Sequence, residues 1–149
     1  MRYKVLLSLS VAIATGCTST TTKYEISPDW DQANLASVTI YRTNVFFHSG
    51  NPEKPFFYID GMEVGKLGTG MAVTTKVTPG KHVISVHESL LFTPSYENGR
   101  IEYEFEAGKT YYVRYSKDFS GVAVTGSTAF PKGRTSFSFA DENSYQERK

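Results

Sequence analysis

Phe56-Phe57-Tyr58-Ile59-Asp60-Gly61-Met62-Glu63-Val64 sets two apolar runs around Asp60-Gly61, and the fold is decided there. Asp-Gly suits a two-residue hairpin turn in which both positions take positive φ. Such a turn sets Ile59 opposite Met62 and Phe57 opposite Val64 on one face, with Tyr58 opposite Glu63 on the other. The apolar pattern and the turn select the same register, and a slip of one residue would send every apolar side chain to the wrong face.

The same period of two runs outward from this hairpin. Val38 and Ile40 alternate with Ser37, Thr39 and Tyr41; Val73, Thr75 and Val77 form another strand. Thr78-Pro79-Gly80-Lys81 turns the chain, and a strand from His82 to about His87 carries Ile84 and Val86 inward. Leu90 to Asn98 reads as a loop. Ile101, Tyr103 and Phe105 alternate with Glu102, Glu104 and Glu106, giving one dry face and one acidic face. After Ala107-Gly108-Lys109, Tyr111, Val113 and Tyr115 alternate with Tyr112 and Arg114. Aligning the dry faces sets Tyr103 opposite Val113, Phe105 opposite Tyr111 and Glu102 across from Arg114. Val122, Val124, Phe137 and Phe139 supply the final strands, and no segment shows helical periodicity. About eight short strands with regular turn signals predict an all-β, antiparallel β-sandwich over residues 36–140, with a small barrel as the alternative. Residues 141–149 read as a charged, fraying tail.

Composition agrees. The 149 residues suffice for one domain, and 40% hydrophobic against 21% charged is ordinary for a folded chain. Ten Tyr and ten Phe favour strands, because such side chains fill a pleated, half-buried surface. The net charge is +1; without Arg2 and Lys4 it becomes 14 basic against 15 acidic residues. Nucleic-acid binding needs a concentrated positive field to displace phosphate counterions, so that partner class is excluded.

The N-terminus has its own grammar. Arg2 and Lys4 precede the apolar run Val5 to Ala14, which has about half the length that crosses a bilayer as a helix. A positive start, a short apolar middle and small residues make residues 1–16 a secretory signal peptide. Ala14-Thr15-Gly16-Cys17 resembles the lipobox of bacterial lipoproteins, although Ala14 stands where leucine is usual. By that resemblance Cys17, the only cysteine, is acylated and becomes the mature N-terminus. Each buried methylene contributes about 0.8 kcal/mol, so two or three acyl chains hold a domain on a membrane. Thr18 stands where an Asp would signal inner-membrane retention, which implies an outer-membrane anchor facing the periplasm. Residues 17–35 then form a polar tether with a Ser/Thr run, and Trp30, its one large apolar group, is expected to pack on the domain.

Three stretches resemble a family of bacterial envelope lipoproteins known only as a domain of unknown function: Phe57 to Gly65, Pro79 to Val86 and Ala107 to Arg114. The middle stretch is also similar to PEGA-type modules, which are small β-sandwiches. The resemblance implies a sandwich of the immunoglobulin or transthyretin type and brings no catalytic residue.

Chemical motifs are sparse. His87-Glu88-Ser89-Leu90-Leu91 begins like H-E-x-x-H but ends in Leu, and His82 and His87 fall on opposite faces of a strand, so no metal site is expected. His82 is read as closing the strand's end and His87 as solvated. No G-x-S-x-G elbow presents a nucleophile, and Gly65 to Gly70 fits neither phosphate-binding loop spacing. The alternation of Glu102, Glu104 and Glu106 reads as a solvated face rather than a carboxylate pair. Adjacent Phe46 and Phe47 cannot both face one side of a strand; the plainer reading is that this stretch folds back as a lid over the sandwich edge, and the alternative makes them, with Tyr41, Tyr58 and Tyr112, the candidate interaction surface. The sequence thus predicts a lipid-anchored, non-enzymatic interaction domain, with no cofactor, working on another envelope protein. The alternative is a glycan or peptidoglycan binder that stacks sugars on its tyrosines.

Overall fold

The computed structural model describes residues 23–44 and 54–148. Among them eight strands form: Ala36–Arg42 (β1), Phe56–Ile59 (β2), Met62–Lys66 (β3), Ala72–Val77 (β4), Gly80–Leu90 (β5), Thr93–Phe105 (β6), Thr110–Thr125 (β7) and Thr128–Ala140 (β8). A short helix, Glu142–Gln146 (α1), follows. Two four-stranded sheets, ordered β4-β1-β7-β8 and β3-β2-β5-β6, lie face to face as an all-β sandwich. Pairing is antiparallel except between β1 and β7, which run parallel with Val38 beside Tyr111 and Ile40 beside Val113.

Alternation explains the interior. Val38 and Ile40 of β1, Phe57 and Ile59 of β2, Ile84 and Val86 of β5 and Val113 and Tyr115 of β7 are fully buried in one cluster. Phe57 meets Tyr115 edge-on at 5.1 Å, joining the two sheets. One end of this interior is aromatic: Phe105 contacts Tyr103 at 5.2 Å and Tyr111 at 5.0 Å, and Phe139 lies 4.0 Å from Tyr103. The other end is polar. Glu88 Oε1 accepts from Lys117 Nζ at 2.7 Å and from Asn98 Nδ2 at 2.6 Å, and Asn98 also reaches Thr135 Oγ1 at 2.8 Å.

The opening hairpin forms with Asp60 and Gly61 at φ 51° and 77°. Ile59 faces Met62 and Tyr58 faces Glu63, but Phe57 faces Gly65 rather than Val64, because a bulge makes Val64 the extra residue. Val64 packs against the core cluster from that position.

Several expectations are corrected. First, β6 and β7 are not a hairpin. The chain turns at Gly108 and crosses between sheets, so β6 pairs with β5 and β7 with β1. The dry faces of both strands do meet, but across the interior rather than within a sheet. Glu102 consequently pairs with Lys81 at 3.6 Å, and Arg114 donates to Ser138 at 3.3 Å. Second, Leu90 to Asn98 is not a loop, since β5 runs to Leu90 and β6 begins at Thr93. Third, the tail does not simply fray. Asp141 caps α1 by accepting from Ser144 N at 2.8 Å, and those hydrogen bonds hold its carboxyl below the usual carboxylate range. Five helical residues are too few to show a period. The tether is also shorter than read: Tyr24 N donates to Glu63 O at 2.9 Å, and Leu35 is buried. Trp30 is 47% exposed.

Where β6 approaches β8, Gly99 leaves no room for a side chain: a Cβ there would lie 2.7 Å from Thr135 Cγ2. Gly99→Ala is expected to cost about 1–3 kcal/mol in urea unfolding through overpacking. Adding Thr135→Ser, which removes that methyl and keeps the hydroxyl for Asn98, should recover most of the loss.

Burial, with the Glu88 carboxylate second, pushes the Tyr115 phenol up to about 12, and burial beside Asp60 does the same for Tyr24. The folded state therefore holds these protons more tightly than the unfolded chain does. Their contribution is complete below pH 10 and drains as the pH rises towards 12. Urea midpoints should fall over that window, and Tyr115→Phe should fall less steeply.

Candidate functional site

The outward faces of β2, β5 and β6 build a groove of about 460 Å³ on the β3-β2-β5-β6 sheet. Register places Tyr58 beside Ser85 and Ser85 beside Arg100, while His87 stands beside Glu97. Tyr58 is the floor. Its ring lies 4.6 Å from the His87 ring and is only 7% exposed. Burial first, and Glu63 second, raise its phenol pKa. Glu97 forms one wall, with Oε2 3.9 Å from His87 Nε2 and Oε1 3.7 Å from Arg100 Nε.

The wall exists because the β5–β6 ladder slips. Val86 pairs with Gly99 and His87 with Glu97, so Asn98 is an extra residue on β6. A bulge re-aims side chains. Here it turns the Asn98 amide towards Glu88 and Thr135 and leaves Glu97 and Arg100 facing each other over the groove. Cation, carboxylate, imidazole and hydroxyl thus line an aromatic floor, which offers paired donors and acceptors to a polar chain.

A second constellation looks like chemistry and serves the fold. Thr78 Oγ1 lies 3.1 Å from His82 Nε2, and His82 Nδ1 lies 2.6 Å from Asp60 Oδ2, the order of a hydroxyl, base and acid. Yet His82 Nε2 is closer still, at 2.8 Å, to the backbone carbonyl of Thr78, and Asp60 Oδ1 accepts from Val83 N at 2.9 Å. Neither Thr78 nor His82 lines the groove. The triplet ties the β2–β3 turn to the β4–β5 turn, so His82 does close its strand's end. His87 is not simply solvated: it packs on Tyr58 and faces Glu97.

The expected interaction surface separates. Cys17, Phe46 and Phe47 lie outside the described residues. Tyr58 joins the groove, as its floor. Tyr41 is fully buried, with Tyr145 of α1 edge-on at 5.4 Å, and Tyr112 stacks on Tyr145 at 5.0 Å. Arg148 covers the other side of Tyr145 at 4.0 Å. Expecting Tyr41 to be open is corrected by α1, which the sequence pattern did not reveal. Glu102 and Glu104 are exposed, and Glu106 pairs with Lys109 at 2.7 Å, as a solvated row should. Among the described residues no three His, Cys, Asp or Glu side chains converge as metal ligands. Sequence reasoning missed Ser85, Glu97 and Arg100. Ser85 and His87 share the outward period of β5, but Glu97 fell in a stretch read as loop.

A family model describing a protein of unknown function (DUF2846) matches residues 32–128. The chain belongs to this family. The matched span runs from the segment before β1 to the first residue of β8 and includes the groove. No curated protein and no solved structure matches the chain.

Asp60→Asn keeps a favoured turn residue and weakens one charge-assisted bond to His82, for an expected loss of about 1 kcal/mol. Asp60→Ala removes the bonds to His82 and Val83 and puts Ala at φ 51°, for about 3 kcal/mol. Equal losses in thermal unfolding would show the tie to be inert.

Proposed function

We propose that the chain is a lipid-anchored protein of the cell envelope whose sandwich binds another envelope protein and catalyses nothing. Acyl chains on Cys17 hold it at the outer membrane, facing the periplasm. Supporting the anchor is the signal-peptide order of residues 1–16 ahead of the chain's only cysteine. Tyr24 is already tied to β3, its N donating to Glu63 O at 2.9 Å, so few residues separate the domain from the proposed lipid.

The groove carries the binding reading. Its walls are a cation, a carboxylate and an imidazole, and it borders β6, an edge strand of thirteen residues. An edge strand offers backbone donors and acceptors to an added strand, while the pockets beside it select side chains. A polar extended segment of a partner protein suits both. Against catalysis stands the tying role of Thr78, His82 and Asp60. The glycan alternative needs open aromatic faces, and Tyr41, Tyr58 and Tyr112 are each covered.

Two variants test the two halves. Cells fed labelled palmitate should label the parent and not Cys17→Ser, which should leave the membrane fraction. In crosslinked envelopes the parent should run as a discrete heavier species. Arg100→Glu should lose that species several-fold, and Lys76→Glu, on β4 of the other sheet, should keep it. A parent that stays solitary under mild extraction and crosslinking overturns the binding reading.

A further inference from the structure

The β5–β6 hairpin closes on Leu91 and Phe92, at φ 50° and 63°. That pair of left-handed positions favours Asn-Gly or Asp-Gly, because a bulky side chain crowds its own backbone there. The chain obeys this rule at Asp60-Gly61. At the second turn it places large apolar residues instead, and they face solvent: Leu90 is 61%, Leu91 78% and Phe92 63% exposed. Strained backbone and exposed apolar surface coincide at one tip.

Behind the tip lies a cleft of about 180 Å³ lined by Lys54, Lys66, Ser89 and Phe92. The Lys66 ammonium sits 4.2 Å over the Phe56 ring, and Lys54 Nζ is 3.9 Å from Met71 Sδ. Among the described residues neither lysine has a carboxylate partner. The acidic side chains flanking the hairpin are engaged elsewhere, Glu88 with Lys117 and Asn98, and Glu97 with Arg100 and His87. Ser89 Oγ is buried and has no hydrogen-bond partner among the described residues. Lys54, Lys66 and Ser89 thus line one cleft beside Phe92 with no acidic side chain among its lining residues, which suits an anion.

We propose that this tip docks on an anionic lipid surface, with Leu90, Leu91 and Phe92 entering the acyl boundary and Lys54, Lys66 and Ser89 taking a headgroup phosphate. Charge complementarity selects an anionic lipid: exposed Leu90, Leu91 and Phe92 stand beside a cleft lined by two lysines, and a bilayer interface offers hydrocarbon and phosphate together. Tyr96, on the same hairpin and 63% exposed, has the amphipathic ring that such an interface favours. The contact shares no lining residue with the groove and does not involve Cys17, and it holds whether or not either acts as proposed.

The test reads the tip directly, so an acyl anchor does not mask it. In the full chain, Trp30→Phe with Phe92→Trp leaves one indole, at the tip, and the protein is placed on vesicles of phosphatidylcholine with or without phosphatidylglycerol. Expected are a blue shift and strong quenching by brominated acyl chains on the phosphatidylglycerol vesicles. Converting Lys54 and Lys66 to Gln should remove most of that quenching. An indole that stays wet and unquenched on both vesicles overturns lipid docking and leaves a protein as the occupant. A separate chain carrying Leu91→Asn and Phe92→Gly should melt at or above the parent temperature, because it restores the favoured turn. A clear drop in melting temperature would assign Leu91 and Phe92 to the fold and overturn the proposal as well.

Discussion

The edge-on contact of Phe57 with Tyr115 is what the rest of the molecule depends on. Each ring comes from an inner strand of its own sheet, each is fully buried, and Phe137 adds a third ring 6.4 Å from Phe57. Burying one such side chain contributes about 1.5–3 kcal/mol, and an edge-to-face pair adds about 0.5–1.5 kcal/mol. More important is the parity it imposes. With Phe57 and Val86 inward, Tyr58, Ser85 and His87 must point outward, because successive side chains alternate. The groove is thus the reverse side of the core, and its residues are placed by strands whose inner faces cannot move.

Parity alone would give a flat outer face. The extra residue at Asn98 bends β6 at the point where the interior changes from aromatic rings to the Glu88, Lys117, Asn98 and Thr135 network. Glu88 is a carboxylate inside a sandwich, and such a group is tolerated only when its lone pairs are met. Asn98 meets one of them by leaving the ladder, and the departure sets Glu97 and Arg100 over the groove. Internal electrostatics and external shape are therefore one arrangement, and Gly99 is the place where the two sheets come close enough to allow it.

Much of this was legible before any coordinates. Asp60-Gly61 set a turn and the first two pairs beyond it, alternation named the buried faces of β1, β2, β5 and β7, and His82 closes its strand as its position suggests. What escaped has a common cause. Alternation tells which face of a strand is dry but not which strand lies beside it. Ile101 to Phe105 and Tyr111 to Tyr115 therefore looked like a hairpin, when their dry faces meet across the interior. Bulges at Val64 and Asn98 escaped because one inserted residue leaves the composition of a strand unchanged. Helix α1 escaped because it is held by rings, with Tyr145 between Tyr41 and Tyr112, rather than by a period of its own. The groove inherits those failures, since Glu97 and Arg100 reach it only through the bulge.

The two hairpin turns with left-handed pairs make the closing argument. At Asp60-Gly61 the residue types, the backbone and the hydrogen bonds to Val83 and His82 all agree, so nothing beyond folding is needed to explain the turn. At Leu91-Phe92 the same backbone geometry carries the wrong residues for folding and the wrong surface for water. Sequences that fold well are locally consistent, and where one level contradicts another the exception marks a constraint from outside the fold. Within one chain the first turn serves as the control for the second. The groove is polar, re-aimed by a bulge and built on rigid strands, while the tip is apolar and strained at the end of a long hairpin. Surfaces that differ so much in chemistry suit different occupants, one polar and extended, the other apolar beside cations.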